Sequence, residues 1–393
     1  MSGISKSESF QRFLLIGGSV IFALILVELP AFLNIIDYQS LQLGGVWGSL
    51  RFIRVPDPEL LYIEPPHAHH IGQAYGGDFS ALYDIPQSEK PLYRWDLRYD
   101  VHGFRNDTDL QRADIAVIGD SMVEGMTVPT QQLMTTLLAQ SRHSAVTNLG
   151  QYGYGPRQEL AVLRRYALPL HPRTILWVFF EGNDLRDVAD YDQAQLHPQD
   201  FWHRFLQRSF SRVVYRTVTR LFSGGRISGI PRSGIIQTFA GTSLRIYFTY
   251  DAHRIDSSDL DSVKKTVDMI ASAEKLCAAQ GVHLVFVFAP DKFRVFHNLC
   301  RFDAGSECLR WQVNDLPDHL KKDIGSVSPE VGYLNLTPSL TAAAQKGVVP
   351  YYSDDIHWTP EGQRIAAEAT LDYLKQYRDP QYPAVHEKAR PAE

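Results

Sequence analysis

The sequence Ile-Ala-Val-Ile-Gly-Asp-Ser-Met-Val-Glu-Gly occupies residues 115–125 and predicts a short buried strand that runs directly into a turn and a helix. Ser121 would then lie at the strand-to-helix turn, where free N–H groups and the positive end of the helix dipole favour a negatively charged oxygen. Such a position suits a serine nucleophile. Ser121 could also serve only as a helix cap, so the interpretation needs partner residues elsewhere in the chain.

Short apolar runs alternate with helix-length segments on the C-terminal side of residue 113, which is typical of a doubly wound parallel sheet. The strands are too apolar to alternate, so we expect burial on both faces. They are predicted at 115–118, 145–149, 174–180, 283–288 and 331–336. Helices are predicted at 130–140, 157–167 and 259–280, with a last helix starting at Pro360 and capped by Thr359. Ligands of such sheets bind beyond the carboxyl ends of the strands.

Two further strands deliver hydrogen-bond donors to this edge of the sheet. Gly153 follows the second strand and Asn183 follows the third. The Gly153 N–H and the Asn183 side-chain amide could join the Ser121 N–H around a developing oxyanion. Glycine and asparagine are also ordinary turn residues, so turn formation alone is the alternative.

A base with an orienting carboxylate is predicted just before the last helix. His357 could accept the Ser121 proton and return it to the leaving group, while a carboxylate on the other ring nitrogen fixes the tautomer. We favour Asp354, three residues before the histidine, as this carboxylate. Asp355 is the alternative.

The order of these blocks resembles that of the SGNH (GDSL-type) hydrolase superfamily over roughly residues 113–376. The resemblance implies a three-layer α/β/α sandwich with a mostly parallel five-stranded sheet, the flavodoxin-like SGNH fold. It also implies that Ser121 and His357 are catalytic, together with Asp354. The implied oxyanion donors are Ser121, Gly153 and Asn183.

One further position agrees with the family pattern and two positions depart from it. Asn148 lies five positions before Gly153, as the second block of the family commonly has it. Glu181 stands where members often carry the first glycine of Gly-x-Asn-Asp, which affects loop shape more than the role of Asn183. Met122 replaces the leucine of Gly-Asp-Ser-Leu at a position that does no chemistry.

The segment His-Trp-Thr-Pro-Glu-Gly at residues 357–362, together with an apolar N-terminus, resembles the alginate-acetylation type of SGNH-like protein. Proteins of that type work outside the cytoplasmic membrane on bacterial exopolysaccharides. The resemblance therefore implies an extracytoplasmic glycan as substrate.

An apolar run begins at Phe13 and, after Glu28, continues to Ile36, which brings it near the ~20 residues that a bilayer requires. Lys6 and Arg12 precede the run and favour a cytoplasmic N-terminus. Since no small-residue cleavage site follows, residues 13–36 are predicted to be an uncleaved transmembrane signal anchor, with a buried core helix as the alternative. The expected location is the bacterial inner membrane, single-pass, with the catalytic domain in the periplasm or extracytoplasmic space.

The rest of the chain divides by composition. We predict a cytoplasmic tail at 1–12, a membrane-proximal linker and lead-in at 37–110, an SGNH hydrolase-like domain at 111–380 and a flexible tail at 381–393. An insertion at about 190–256 interrupts the strand and helix rhythm.

Within this insertion, arginines recur at 204, 208, 212, 216 and 220, opposite an apolar face, and predict a basic amphipathic helix. That helix could rest on anionic headgroups near the anchor or grip an anionic polymer. The alternative is a helix packed on the body with a solvated arginine face.

Charge and cysteine content exclude several classes. The 39 Lys and Arg residues against 44 Asp and Glu leave a net charge of −5, so no global basic field attracts nucleic acid. The three cysteines have no metal-ligand spacing, and no motif requires a metal or organic cofactor. Cys277 is predicted to be buried within a helix, whereas Cys300 and Cys308 could pair if the body is exported.

Together these features predict a membrane-anchored extracytoplasmic serine esterase or O-acyltransferase. It would act through an acyl-Ser121 intermediate on O-acetyl groups of a cell-surface glycan or exopolysaccharide. Transfer would require a membrane-bound acyltransferase as partner. The alternatives are a lipid-directed esterase or lysophospholipase, and a non-catalytic polysaccharide-binding assembly subunit. The sequence leaves open hydrolysis against transfer, acyl chain length, oligomeric state and the role of residues 37–110.

Overall fold

Twelve strands and twelve α-helices are found in the computed structural model, which describes residues 6–33, 35–36, 38, 54–81, 83, 85–196, 201–222, 232–238, 240–249 and 257–376. The strands are β1 (Val55–Asp57), β2 (Leu61–Ile63), β3 (His69–Tyr75), β4 (Leu92–Arg98), β5 (Ile115–Gly119), β6 (Val146–Gly150), β7 (Thr174–Phe180), β8 (Ser233–Gln237), β9 (Ser243–Tyr247), β10 (His283–Ala289), β11 (Arg301–Phe302) and β12 (Gly332–Asn335). The helices are α1 (Lys6–Phe32), α2 (Ser121–Glu124), α3 (Met134–Arg142), α4 (Pro156–Val162), α5 (Asp184–Leu196), α6 (Phe201–Arg208), α7 (Phe210–Phe222), α8 (Ser257–Ala278), α9 (Lys292–Phe296), α10 (Leu316–Val327), α11 (Thr337–Gln345) and α12 (Pro360–Gln376).

The central sheet has the order β12-β10-β7-β5-β6, and every neighbouring pair is parallel. All five predicted strands are present with small differences at their ends, and the order is that of flavodoxin-like doubly wound sheets. The winding reverses between β5 and β7, so the crevice beyond their carboxyl ends is the expected ligand site.

Helices cover both faces of this sheet and complete three layers. Alternate strand residues, such as Ile118 and Trp177, point to one face and pack with α4, α8 and α10. Their neighbours, such as Val117 and Val178, point to the other face and pack with α3, α11 and α12. The predicted α/β/α sandwich is confirmed.

The predicted helices are confirmed with local differences. The segment predicted at 130–140 begins as a 3₁₀ turn, Thr130–Gln132, before α3. The segment predicted at 157–167 is α4 followed by a π-helical turn at Leu163–Ala167. Thr359 caps α12 as predicted, since its Oγ1 accepts the Gly362 N–H at 3.2 Å.

The lead-in before β5 forms two antiparallel hairpins, β1-β2 and β3-β4. On β4, Tyr93, Trp95 and Leu97 alternate with exposed residues and pack with Met126, which follows the serine segment. The hairpin therefore lies against the body next to the loop after α2.

The insertion contains two amphipathic helices, α6 and α7, rather than the single helix predicted across the arginines. The helix breaks at Ser209, whose Oγ accepts the Arg212 N–H and so caps α7. Strands β8 and β9 then form a small antiparallel sheet with β11.

The N-terminal helix α1 contains one segment, Leu14–Phe32, that is long and apolar enough to cross a membrane, and 6% of it is buried by the rest of the protein. The three cysteines are free thiols. Cys277 lies within α8 at 1% exposure, so its predicted burial in a helix is confirmed. The predicted tail at 381–393 lies outside the described residues.

Candidate active site

Ser121 is the first residue of α2 and follows the switch-point strand β5 by one residue. Asp120 caps this helix, because its carboxylate accepts the Met122 N–H at 2.8 Å. Gly125 ends the helix in the left-handed conformation, with φ +63°. The N–H groups of Met122, Val123 and Glu124 donate to Asp120, so the Ser121 N–H is the remaining candidate donor of this turn beside the hydroxyl.

His357 meets Ser121 at this edge of the sheet. The His357 Nε2 and Ser121 Oγ atoms are 2.8 Å apart, and both side chains are buried. This is hydrogen-bonding distance, so the imidazole is placed to take the hydroxyl proton.

Asp355 contacts the other ring nitrogen of His357, Nδ1. Its Oδ1 atom contacts His357 Nδ1 and also accepts the His357 backbone N–H at 2.9 Å. The preference for Asp354 as the orienting carboxylate was therefore wrong, because the tight turn folds the Asp355 side chain back onto its own i+2 residue. The sequence contains both Asp-x-x-His and Asp-x-His, so spacing alone does not distinguish the two carboxylates.

Asp354 instead holds the lead-in against the site. Its carboxylate accepts hydrogen bonds from the Gly77 N–H at 2.7 Å, the Ser80 hydroxyl at 3.0 Å and the Tyr93 hydroxyl at 2.6 Å. Burial raises the pKa of Asp354, although these three donors favour the ionised form. With its lone pairs so engaged, this carboxylate supports the site without contacting His357.

Asp78 is a site residue that the sequence reasoning missed. Its Oδ2 atom lies 3.8 Å from His357 Nδ1, and its N–H donates to Asp355 Oδ2 at 3.0 Å. Burial, followed by repulsion from Asp355, raises the pKa of Asp78 well above its usual range. No motif marks this residue; only its position in the lead-in, which packs on the histidine loop, brings it to the site.

Electrostatics favour a proton on His357. Burial lowers the pKa of His357, but the charge and hydrogen bond of Asp355 outweigh burial and raise it to about 9. Burial likewise disfavours ionisation of Asp355, and the attraction of His357 reverses that effect and lowers its pKa. The carboxylate thus stabilises the imidazolium that a base forms during catalysis.

Lys292 holds the loop at residues 352–357, the histidine loop, in place. Its Nζ donates to the carbonyls of Tyr352 at 2.5 Å, Ser353 at 2.8 Å and Asp355 at 3.1 Å, and the side chain is 2% exposed. Burial lowers its pKa to about 7. The amine thus ties three backbone carbonyls of this one loop to the start of α9.

Gly153 adopts a φ of +75°, a region that favours glycine, and a Cβ there would lie 2.6 Å from the Tyr62 hydroxyl oxygen. Tyr62 in turn donates to the Tyr152 carbonyl at 2.7 Å. The lead-in therefore also packs on the loop that carries this predicted oxyanion donor.

Asn183 lies beyond β7, immediately before α5, and its side-chain amide nitrogen donates to Asp187. The amide oxygen is buried and has no hydrogen-bond partner among the residues that the structure describes. The oxyanion roles of Gly153 and Asn183 remain predictions.

Asn148 and Glu181, the two other positions singled out in the sequence, have structural partners. The Asn148 amide donates to the Val123 carbonyl at 2.8 Å, which ties β6 to α2. Glu181 forms a buried ion pair with Arg294 and accepts the Asp291 N–H at 2.8 Å. The glutamate therefore joins the ends of β7 and β10 rather than entering the site.

Among the described residues, the group of possible metal ligands that lie close together is Asp78, Asp355 and His357. Both ring nitrogens of His357 already contact Asp355 and Ser121. A metal ion there would displace the contacts of the proposed triad, so this group is better explained as a proton-transfer site.

Residues 247–391 match the family model described as the SGNH hydrolase-like domain of the acetyltransferase AlgX. Over this segment the chain is similar to SGNH hydrolase-like domains. The matched segment contains Asp355 and His357, whereas Ser121 lies before it. The match supports an esterase or acetyltransferase activity.

Solved structures with similarity to the chain include three proteins described as a lipase, an esterase and a hydrolase. A GDSL-like lipase from Bacteroides thetaiotaomicron is 13% identical over 68% of this chain and 88% of that chain, with a TM-score of 0.33. An acetyl xylan esterase is 10% identical over 66% and 99%, with a TM-score of 0.35. An α/β hydrolase from the Lake Arreo metagenome is 12% identical over 67% and 95%, with a TM-score of 0.36. A search of curated proteins finds no match to the chain.

Proposed function

We propose that this protein is a membrane-anchored extracytoplasmic serine enzyme that cleaves or transfers O-acetyl groups of a cell-surface glycan or exopolysaccharide. The observation that carries the proposal is the continuous contact from Asp355 through His357 to Ser121. The family match supports acyl chemistry in this site.

The reaction follows from the order of these groups. His357 Nε2 accepts the Ser121 proton as Oγ forms a bond to the acyl carbonyl carbon, and the Ser121 N–H at the start of α2 stabilises the oxyanion. The bond to the leaving oxygen then breaks, and the imidazolium returns the proton to that oxygen. A second hydroxyl, from water or from a sugar, repeats the sequence on acyl-Ser121 and regenerates the serine.

Access of water decides between hydrolysis and transfer, since the same triad serves both. In the transfer case, an acyl donor must reach the outer face of the membrane, which is the role we propose for a membrane-bound acyltransferase partner. The apolar segment of α1 supports the anchor, with the body in the periplasm or an equivalent space.

The nucleophile can be tested with a fluorophosphonate probe on the full chain in detergent, followed by peptide mapping. We expect labelling at Ser121, loss of labelling in Ser121→Ala, and retention in Ser272→Ala, which removes an exposed hydroxyl on α8. Equal labelling of wild type and Ser121→Ala, or no labelling at all, would favour a non-catalytic polysaccharide-binding subunit.

The substrate class can be tested by comparing acetyl and dodecanoyl esters, with and without a deacetylated polysaccharide as acceptor. Preference for acetyl esters together with acetylated polysaccharide in the products supports the glycan proposal. Preference for the long acyl chain would favour a lipid-directed esterase instead.

A further inference from the structure

The helices α6 and α7 expose apolar faces beside the candidate membrane span. On α6, Trp202 and Leu206 are 61% and 54% exposed and lie four residues apart, on one side of the helix. On α7, Val214 and Val218 are 40% and 41% exposed with the same spacing. Exposed apolar residues that recur on one helix face indicate a surface that binds a membrane or another protein.

The two helices are attached to the end of α1. Both carboxylate oxygens of Glu28 accept backbone N–H groups at the start of α7, from Phe210 at 3.1 Å and Ser211 at 2.7 Å. A carboxylate at a helix N-terminus is stabilised by the helix dipole. Glu28, the acid within the candidate span, is therefore paired with the start of α7. The start of α7 must lie at the same depth in the membrane as Glu28.

Aromatic contacts extend this attachment. The Phe32 ring lies 5.7 Å from the Phe205 ring and 6.4 Å from the Trp202 ring. Tyr38 packs on Phe210 at 5.5 Å and donates to the Val27 carbonyl at 2.6 Å. The junction of α6 and α7 thus adjoins the last turns of α1.

The length of the apolar segment indicates where this junction lies. Leu14–Phe32 has 19 residues, which at about 1.5 Å per residue matches the ~30 Å of a bilayer core. With the N-terminus in the cytoplasm, Glu28 and Phe32 reach the outer interface. Tryptophan and tyrosine side chains are enriched at that depth.

We propose that α6 and α7 lie in the outer interface of the membrane, with Trp202, Leu206, Val214 and Val218 among the acyl chains and with Arg208 and Arg212 towards anionic headgroups. At 100° per residue, Arg212 is on the side of α7 opposite Val214 and Val218. An amphipathic helix with this division of charge binds anionic bilayer surfaces. The proposal rests on the membrane anchor of the proposed function.

The pair of helices would hold the body close to the membrane rather than at the end of a free tether. Ser121 and the residues around it would then have a restricted orientation relative to the bilayer. This geometry suits an enzyme that receives its acyl group from a membrane-embedded partner.

The proposal can be tested with the full chain in vesicles that contain anionic lipid and nitroxide-labelled acyl chains. An environment-sensitive fluorophore is attached to Leu206→Cys or Val214→Cys in a Cys300→Ser background. Leu24→Cys in the span is the positive control, and Leu309→Cys, 57% exposed on the body, is the matched negative control. We expect blue-shifted emission and severalfold stronger quenching at 206 and 214 than at 309.

The outcomes distinguish failure of the interfacial position of α6 and α7 from failure of the membrane anchor. Quenching at 24 without quenching at 206 and 214 would overturn the interfacial position and leave the anchor intact. Absence of quenching at 24 would overturn both. A blue shift at 206 and 214 without nitroxide quenching would show that a protein, such as a second copy of the chain, covers these faces, and it would also overturn the proposal.

Discussion

The His357 Nε2 atom lies 2.8 Å from the Ser121 Oγ atom, although 236 positions separate the two residues in the chain. Gln363 on α12 helps to hold them together. Its amide nitrogen donates to the Met122 carbonyl at 3.0 Å, and its oxygen accepts the Met134 N–H at 2.8 Å. The helix that follows the histidine is thus fastened directly to the helix that begins with the serine.

Asp355→Asn should lower kcat on the order of 10⁴-fold, because an amide on Nδ1 favours the wrong imidazole tautomer and cannot stabilise the imidazolium. The matched variant is Asp354→Asn, which changes the neighbouring carboxylate but leaves the His357 contact intact. Its kcat loss should be much smaller. Steady-state kinetics on an acetyl ester measures both, and an equal loss in the two variants would contradict the assignment of Asp355.

The activity should rise with pH up to about 9. Burial lowers the pKa of His357, but Asp355 raises it to about 9, and only the neutral imidazole can accept the serine proton. The acid limb of kcat/KM in the free enzyme should therefore lie near that value, with Ser121→Ala as the blank for spontaneous hydrolysis. In Asp355→Asn the limb should move to lower pH. If the acid limb did not move in that variant, it would not report the titration of His357.

Asn183→Ala should reduce kcat on the order of 100- to 1,000-fold, which is the usual cost of losing one oxyanion donor. Labelling of Ser121 by the fluorophosphonate probe should still go to completion, because the nucleophile and base are untouched. Asp187→Asn is the control, since it changes the acceptor of the Asn183 amide and keeps the amide itself. A full rate in Asn183→Ala would remove this residue from the oxyanion site.

Gly153→Ala should lower both activity and stability. The alanine Cβ would lie 2.6 Å from the Tyr62 oxygen, at a φ of +75° that costs a non-glycine residue about 1 kcal/mol. Tyr62→Phe removes that oxygen, so the double variant should recover part of the loss. Chemical denaturation and kinetics on the four proteins of this cycle measure the coupling, and strictly additive effects would argue against the contact.

Lys292→Met should loosen the histidine loop and lower kcat, since three carbonyls lose their shared donor. The pKa of Lys292 falls from 10.5 in the unfolded chain to about 7 in the fold because of burial. Between these values the unfolded chain binds more protons, so this lysine makes stability rise with pH. The free energy of unfolding of Lys292→Met should therefore rise less steeply over that range than that of wild type.

Lys264→Met is the control for this comparison, because Lys264 is an exposed lysine on α8. Its unfolding free energy should follow that of wild type across the same pH range. If Lys292→Met and Lys264→Met had the same pH dependence, the buried amine would not titrate as described.

The sheet was predictable because its strands are continuous apolar runs bounded by turn residues, and each of the five was found where its run lies. Ser121 and His357 were predictable because their positions follow from the ends of predicted elements. The split between α6 and α7 was not, since it depends on Ser209 and on Glu28 in a distant helix.

The choice between Asp354 and Asp355 could not be made from spacing. Both residues are close enough to His357 in sequence, and the decision depends on where three donors from the lead-in lie. Those donors come from 261 to 277 positions away, as does Asp78. A pattern within one segment of the sequence cannot predict such long-range contacts.

The three hydrogen bonds that Asp354 receives from Gly77, Ser80 and Tyr93 have a practical consequence for recombinant work. A truncated fragment that started at residue 111 would retain the whole parallel sheet, yet it would expose this acid to solvent and leave the histidine loop without its cover. A soluble fragment intended for crystallisation or screening should therefore start ahead of the first hairpin, between the end of α1 and Val55.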